Sequence, residues 1–240
     1  MRQVVAGRFQ LIEPIGRGGT GTVWRARDRR RRGRVVAAKV LSRHGADDVL
    51  RFVREQTLRV AHPHVVAPDG WAADDDLVVL AMDLVRGGTA DQLLARYGAL
   101  PEDYVAVLLH QVLQALDAVH RAGLVHRDVK PANLLLEPTR TARPHLRLGD
   151  FGVAAGARRA QEVGAAGTAG YLAPAQEAGA APDPRQDLFA AGMTAAELLT
   201  GRLPASPDDL PRSGLRPLLR TLVAAAAVGI VAVASSRTRN

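Results

Sequence analysis

Leu77 to Val85 is an almost unbroken apolar run, the pattern of a strand buried on both faces. Gly7 to Leu11, Thr22 to Ala26 and Val35 to Leu41 predict further short strands. Between them, Asp47 to Ala61 places Val49, Phe52, Val53 and Leu58 at helical spacing, and His62-Pro63 ends the helix. After Arg86-Gly87-Gly88 the period changes. Ala90 to Tyr97 predicts a helix. Leu100-Pro101-Glu102 opens a longer one through His120, with Val105, Leu108, Leu109, Val112, Leu113 and Leu116 on one side. Leu134 to Leu136 and Leu146 to Leu148 predict short strands, and Gln186 to Thr200 an apolar helix stopped by Gly201. A strand-rich third followed by a helical remainder predicts two lobes joined near residues 84–88. There are no internal repeats.

Composition narrows this picture. The chain has 240 residues and is 47% hydrophobic, enough for a core, but only 4% aromatic, so Ala, Val and Leu must fill it. It has no cysteine, which excludes disulfides and thiolate metal sites and fits a reducing cytoplasm. The net charge is +8. Its densest run, Arg27 to Arg34, lies between two strands and predicts a solvated hairpin loop. No stacking aromatics accompany it, so a nucleic-acid partner is not expected. No apolar signal segment occurs at the N-terminus. Thr221 to Ser236 is uncharged, bracketed by Arg216 and Arg220 and by Arg237 and Arg239. As a helix it would span about 24 Å, short of a hydrocarbon core of about 30 Å. A buried terminal helix and a membrane-associated segment are equally compatible with it. Peripheral membrane association through this segment is the expected limit.

Only two of the thirty-two basic residues are lysines, Lys39 and Lys130. Lysine has survived an arginine bias in two places, and a compact ammonium on a phosphate is a role a guanidinium does not fill equally. Gly16-x-Gly18-x-x-Gly21-x-Val23 lies between two strands. Glycines there let the backbone approach a phosphate. A dinucleotide-binding turn shares the spacing but would open a helix, whereas strand-like residues follow here. A plain hairpin tip is the other reading. Lys39 on the next strand needs an anionic partner if buried, and Glu55 on the following helix can supply one, holding the ammonium against phosphates. His126-Arg127-Asp128-Val129-Lys130-Pro131-Ala132-Asn133 puts an acid, a cation and a neutral oxygen donor on one loop. Asp128 can orient a hydroxyl or accept its proton. Lys130 can neutralise a transferred phosphoryl. Asn133 can ligate Mg²⁺ through its amide oxygen, and Asp150, in Asp150-Phe151-Gly152, can add a carboxylate.

In this order and spacing the motifs resemble those of the eukaryotic-type serine/threonine protein kinases, in bacterial style, over residues 8 to 222. Gly16, Gly18, Gly21 and Val23 match the glycine-rich loop, Lys39 and Glu55 the strand lysine and its helix partner. Asp128, Lys130 and Asn133 match the catalytic loop, and Asp150 the metal-binding aspartate. Gly167 to Pro174 matches the end of the activation segment, and Asp187 the buried aspartate that supports the catalytic loop. The resemblance implies an α+β, bilobal fold, with an N-lobe at 8–84, a C-lobe at 85–222 and an alanine-rich tail at 223–240. It implies ATP in the cleft with Mg²⁺ or Mn²⁺, and protein substrates in the cytoplasm or at a membrane. Val23 and Ala37 would roof the adenine and Leu135 would floor it. Met82 would guard the back pocket, and Asp83 and Val85 would offer backbone hydrogen bonds. Thr168 would contact Asp128 and Lys130.

Two departures stand out. Ala173-Pro174-Ala175 replaces the family's Ala-Pro-Glu, and the late C-lobe reads as shortened, so both partners of a usual ion pair are missing. From Gly152 to Gly167 there is no Ser, Thr or Tyr, so switching by phosphorylation of that segment is not expected, with Glu162 a candidate fixed charge. The primary expectation is transfer of the γ-phosphoryl of MgATP to protein Ser or Thr hydroxyls. The alternative is a pseudokinase-like scaffold that binds nucleotide or a partner and transfers weakly. A small-molecule phosphotransferase fits Gly167 to Pro174 poorly.

Overall fold

The computed structural model describes residues 3–18, 21–42, 60–74, 77–140, 143–150, 155–156, 167–205 and 209. The chain divides into two compact units. One comprises Met1–Ala61 and Val66–Val85, the other His62–Val65 and Arg86–Asn240.

The first unit is built on one antiparallel sheet of β1 (Val4–Val5), β2 (Phe9–Gly18), β3 (Gly21–Asp28), β4 (Arg34–Ser42), β5 (Pro68–Ala73) and β6 (Leu77–Met82), in the order β1-β2-β3-β4-β6-β5. Strand periodicity puts Ala26, Val36, Ala38, Val79 and Ala81 on one face, where they pack with Val5, Phe9 and Leu11 into a fully buried core. The register places Lys39 opposite both Val23 and Leu80, and Ala37 opposite Met82. Those residues therefore share the other face, beside a smaller cluster of Leu41, Val78 and Leu80. The β2 strand runs further than the sequence suggests, through to Gly18, with two register shifts that absorb Ile12 and Ile15. Conversely, the apolar run from Leu77 stops pairing at Met82. Strand β5 escapes the pattern because it opens with Pro68-Asp69-Gly70, turn chemistry that a bulge between Pro68 and Gly70 accommodates. The helix expected from Asp47 and its Glu55 lie outside the described residues, except that Val60 and Ala61 are not helical.

The second unit carries α1 (Ala90–Tyr97), α2 (Glu102–Arg121), β7 (Leu124–Val125), β8 (Leu134–Leu136), β9 (Leu146–Leu148), β10 (Ala155–Gly156), α3 (Pro174–Glu177) and α4 (Pro184–Thr200). Helix α2 starts after Pro101 with Glu102 and Asp103 in its first turn and ends with His120 and Arg121, charges that suit its dipole. Its apolar stripe from Val105 through Val119 is buried. Helix α4 opens on an Asp183 cap, whose carboxylate accepts from the Arg185 amide at 2.9 Å, with Pro184 in the first turn. It closes at Gly201 with φ 79°. Most of α4 is buried on all sides, and α2 packs along it. Gln111 ties α2 to the segment leading into β9: its Nε2 donates to the Pro144 carbonyl and its Oε1 accepts from the Leu146 amide, both at 2.7 Å. Strand β8 pairs with β9, and β7 with β10. Among the described residues no helix is long and apolar enough to cross a membrane. The run 221–236 lies outside them.

Candidate functional site

In the first unit the β2–β3 hairpin carries the glycine pattern, with Gly16 opposite Val23 and Gly18 opposite Gly21. Gly21 has φ 149°, and a Cβ there would lie 2.4 Å from the Val40 carbonyl oxygen and 2.9 Å from Leu41 Cδ2. Only glycine lets β4 approach this closely. Gly16 meets no such obstacle, since its Cβ would be 3.9 Å from Val23 Cβ. Val23, Ala37, Lys39 and Met82 are brought to the same sheet face by the register. Ala37 and Lys39 are buried, and Val23 and Met82 are half-buried. Among the described residues of the unit, Asp28 and Lys39 are the buried charged side chains. Asp83 follows β6, and its side chain accepts from Arg34 Nη2 at 2.6 Å. Val85 is half-buried at the end of the unit.

In the second unit the loop after β7 is organised by a carboxylate two helices away in sequence. Asp187, in the first turn of α4, is fully buried. Its Oδ2 accepts from the His126 amide at 2.8 Å, and its Oδ1 accepts from the Arg127 amide at 2.7 Å. Arg127 has φ 68°, a left-handed conformation in which two consecutive amides can converge on one carboxylate. A third contact, His120 Nε2 to Asp187 Oδ2 at 2.7 Å, comes from the last turn of α2. Sequence reasoning named Asp187 and missed His120. No sequence signal marks His120, because only the packing of α2 on α4 brings it to the carboxylate.

His126 is fully buried, and its hydrogen bonds define its tautomer. Nδ1 accepts from the Asp128 amide at 3.3 Å, so the proton sits on Nε2 and is donated to the Gly149 carbonyl at 3.0 Å. The Gly149 amide in turn donates to the Asn133 carbonyl at 2.9 Å. These bonds stitch the loop to the residue preceding Asp150, which itself takes a left-handed φ of 57°.

Asp128 collects three partners. Lys130 Nζ lies 2.8 Å from Oδ2, Asn133 Nδ2 donates to Oδ2 at 2.9 Å, and Thr168 Oγ1 donates to Oδ1 at 2.7 Å. Lys130 Nζ also donates to Thr168 Oγ1 at 2.6 Å. Burial pushes the Asp128 carboxyl up, but the bonds from Lys130, Thr168 and Asn133 outweigh it and hold the pKa below the ordinary carboxylate value. Asn133 spends both amide hydrogens on Asp128, the second on its carbonyl at 2.7 Å. Its amide oxygen is thereby the group left to face a ligand. That oxygen and the Asp150 carboxylate are hard donors of the kind Mg²⁺ or Mn²⁺ takes, so the residues fit such an ion. Leu135, between Leu134 and Leu136 on β8, is half-buried while its two neighbours are buried. It is the member of the strand turned away from the unit's core.

The segment after Gly167 is also held by the second unit. Gly167 has φ 138°, and a Cβ would lie 2.8 Å from the Arg127 carbonyl oxygen, so the segment passes directly over the loop after β7. Tyr171 donates to Glu197 of α4, and burial with that carboxylate pushes its phenol far up. Ala175, where the resemblance leads one to expect glutamate, is buried in α3. The stretch 157–166 lies outside the described residues, and with it Glu162.

A family model described as the protein kinase domain matches residues 9–223. Serine/threonine-protein kinase PkaA of Streptomyces coelicolor is 39% identical over 220 residues, covering 83% of this chain and 40% of that protein. Serine/threonine-protein kinase pkn3 of Myxococcus xanthus is 35% identical over 86% of this chain and 40% of its own length. PknL of Mycobacterium tuberculosis, also named a serine/threonine-protein kinase, is 37% identical over 91% of this chain and 60% of its own length. The chain thus spans about half the length of the curated relatives it matches. With the model covering most of the sequence, and a strand-rich and a helical unit beneath it, the chain belongs to the protein kinase family.

Proposed function

We propose that this chain is a serine/threonine protein kinase that transfers the γ-phosphoryl of MgATP to hydroxyls of protein substrates. The observation that carries this reading is the Asp128 cluster, in which a buried carboxylate, an ammonium and a hydroxyl are fixed within hydrogen-bond distance of one another. A carboxylate held below its ordinary pKa is a weak base. Asp128 would therefore orient the substrate hydroxyl and receive its proton only as the oxygen–phosphorus bond forms. Lys130 would stabilise charge on the phosphoryl oxygens, and Thr168 would keep Asp128 and Lys130 in register. A divalent cation held by Asn133 and Asp150 would supply positive charge against the phosphates.

For the nucleotide, Gly16, Gly18 and Gly21 would bring backbone close to phosphates, and Lys39, with Glu55 as partner, would pair with them. Val23, Ala37, Met82 and Leu135 would contact the base, and the backbones of Asp83 and Val85 would hydrogen-bond it. The names of the relatives support protein serine and threonine as acceptors.

The test is γ-phosphate transfer by purified protein to a generic basic protein with Mg²⁺ or Mn²⁺. Asp128→Asn, Lys39→Met and Asp150→Ala should each abolish transfer while leaving the thermal melt nearly unchanged. Retained transfer in any of them would reject its assigned role. Absence of transfer from folded, nucleotide-binding wild type would reject the kinase reading in favour of a binding scaffold.

A further inference from the structure

The connection from β3 to β4 concentrates charge that phosphoryl transfer does not use. Residues 25 to 34 contain seven arginines, and the turn lies at the opposite end of these strands from the glycine hairpin. Three of the seven are engaged by carboxylates. Arg25 pairs with Glu13 at 2.9 Å, Arg31 with Asp69 at 2.6 Å, and Arg34 with Asp83 at 2.6 Å. The other four, Arg27, Arg29, Arg30 and Arg32, are exposed, and among the described residues none has a carboxylate within ion-pair distance. Asp28, the one acid in the stretch, is buried and taken by Arg8 at 2.6 Å.

The backbone beneath these four side chains is held in place. Asp28 Oδ1 accepts from the Arg30 amide at 3.0 Å, the Asp28 carbonyl accepts from the Gly33 amide at 3.0 Å, and the Arg29 amide donates to the Arg8 carbonyl at 3.0 Å. Arg32 closes the turn at φ 53°. Main-chain ordering is thus complete before any partner arrives, which favours binding by whatever the guanidinium groups recognise.

We propose that this arginine turn is a docking face for an anionic phospholipid surface. Four permanent positive charges within six residues, without carboxylate partners among the described residues, suit a polyanionic surface. A groove for single-stranded nucleic acid would call for aromatic side chains among the basic ones, and residues 25–34 contain none. The sequence also holds the uncharged run 221–236, bracketed by arginines. A single such signal gives weak, reversible binding, so the turn by itself predicts salt-sensitive association. Each arginine near an anionic surface is worth about a five-fold gain in partitioning, so four supply several hundred-fold.

The experiment is co-sedimentation of the full chain with phosphatidylcholine vesicles, with and without about one-third phosphatidylglycerol. Preference for the anionic vesicles that falls steeply with added salt is expected. Combined Arg27→Gln, Arg29→Gln, Arg30→Gln and Arg32→Gln should remove that preference and leave partition onto neutral vesicles, the share of the apolar run, unchanged. Arg30→Gln alone should cost about five-fold, which keeps the test valid should the quadruple variant fold poorly. A control that removes equal charge elsewhere, at Arg96, Arg140, Arg143 and Arg202, should keep most of the preference. The proposal is overturned if the quadruple variant retains the preference, or if the control loses as much. It is also overturned if duplex DNA or single-stranded RNA binds the turn while lipid partition is indifferent to it, which would reassign the face to nucleic acid.

Discussion

Replacing Asp187 tests how one buried carboxylate shapes the loop that carries Asp128. It accepts from two consecutive amides at 2.8 and 2.7 Å and meets His120 at 2.7 Å, with no exposure to water. In Asp187→Asn the side chain keeps one accepting oxygen. The other position becomes an NH₂ aimed at an N–H donor, so at least one buried donor is orphaned. An orphaned buried donor costs about 1–3 kcal/mol, and bonds to a charged acceptor lie at the upper end. We expect a loss of about 2–3 kcal/mol for Asn and about 3–5 kcal/mol for Ala, which orphans both amides and leaves a cavity. Arg127 holds its left-handed φ of 68° only while its amide is anchored, so the loop should relax and displace Asp128. Urea unfolding supplies the free energy and steady-state transfer the activity. The expected result is a joint loss, with kcat falling by about a hundredfold or more, since small misplacements of reacting groups are costly. Unfolding free energy within about 0.5 kcal/mol of wild type, with unchanged kcat, would show that the loop holds its shape without this anchor.

Thr168→Val removes one donor from Asp128, so the carboxyl, held below its ordinary value with Thr168 contributing, should rise toward it; the acid limb of the kcat/KM profile should then move to higher pH, and an unmoved limb would contradict the role of Thr168. The hydrogen-bonded Arg8 guanidinium depresses the Asp28 carboxyl, so the pair contributes stability that is present above the unfolded-state pKa of about 4 and is lost as pH falls through the lower native value. Arg8→Ala leaves that buried carboxylate with only the Arg30 amide and the more distant Arg31 guanidinium and should cost about 3 kcal/mol at pH 7, with the deficit shrinking in acid; a pH-independent deficit in urea titrations would refute the linkage. Gly21→Ala would force a methyl against the Val40 carbonyl at 2.4 Å, so weaker nucleotide affinity by calorimetry is expected, with the second unit's hydrogen-exchange protection unchanged.

Much of this protein was legible along the chain because its signals are local. Helical periodicity marked α1 at Ala90–Tyr97 and α2 to within a residue, and short apolar triplets marked β8 and β9. Clustered polar residues in fixed order marked Asp128, Lys130 and Asn133, which the structure brings into one hydrogen-bonded cluster, as the proposed handling of phosphate would need. Strand β5 was not legible, because Pro68-Asp69-Gly70 reads as a turn until β6 offers a pairing edge. Which of the half-buried apolar residues share a face was not legible either. The bulges in β2 and the register of β4 against β3 and β6 decide that Val23, Ala37, Lys39 and Met82 lie together.

The sequence by itself determined the family, most of the longer elements and the candidate reactive groups, because these depend on residue type and spacing over a few turns of chain. Tertiary structure alone decided how those groups are tuned. Asp187 reaches residues 60 and 61 positions away, Thr168 reaches Asp128 across 40, and His120 meets Asp187 across 67. Contacts at such separations are set by how α2 packs on α4 and how the segment after Gly167 crosses the loop. The lowered pKa of Asp128 and the left-handed turn at Arg127 are consequences of that packing, which no local pattern encodes. The arginine turn divides in the same way: the sequence supplies its charge, but only the fold separates the arginines held by Glu13, Asp69 and Asp83 from the four left to solvent.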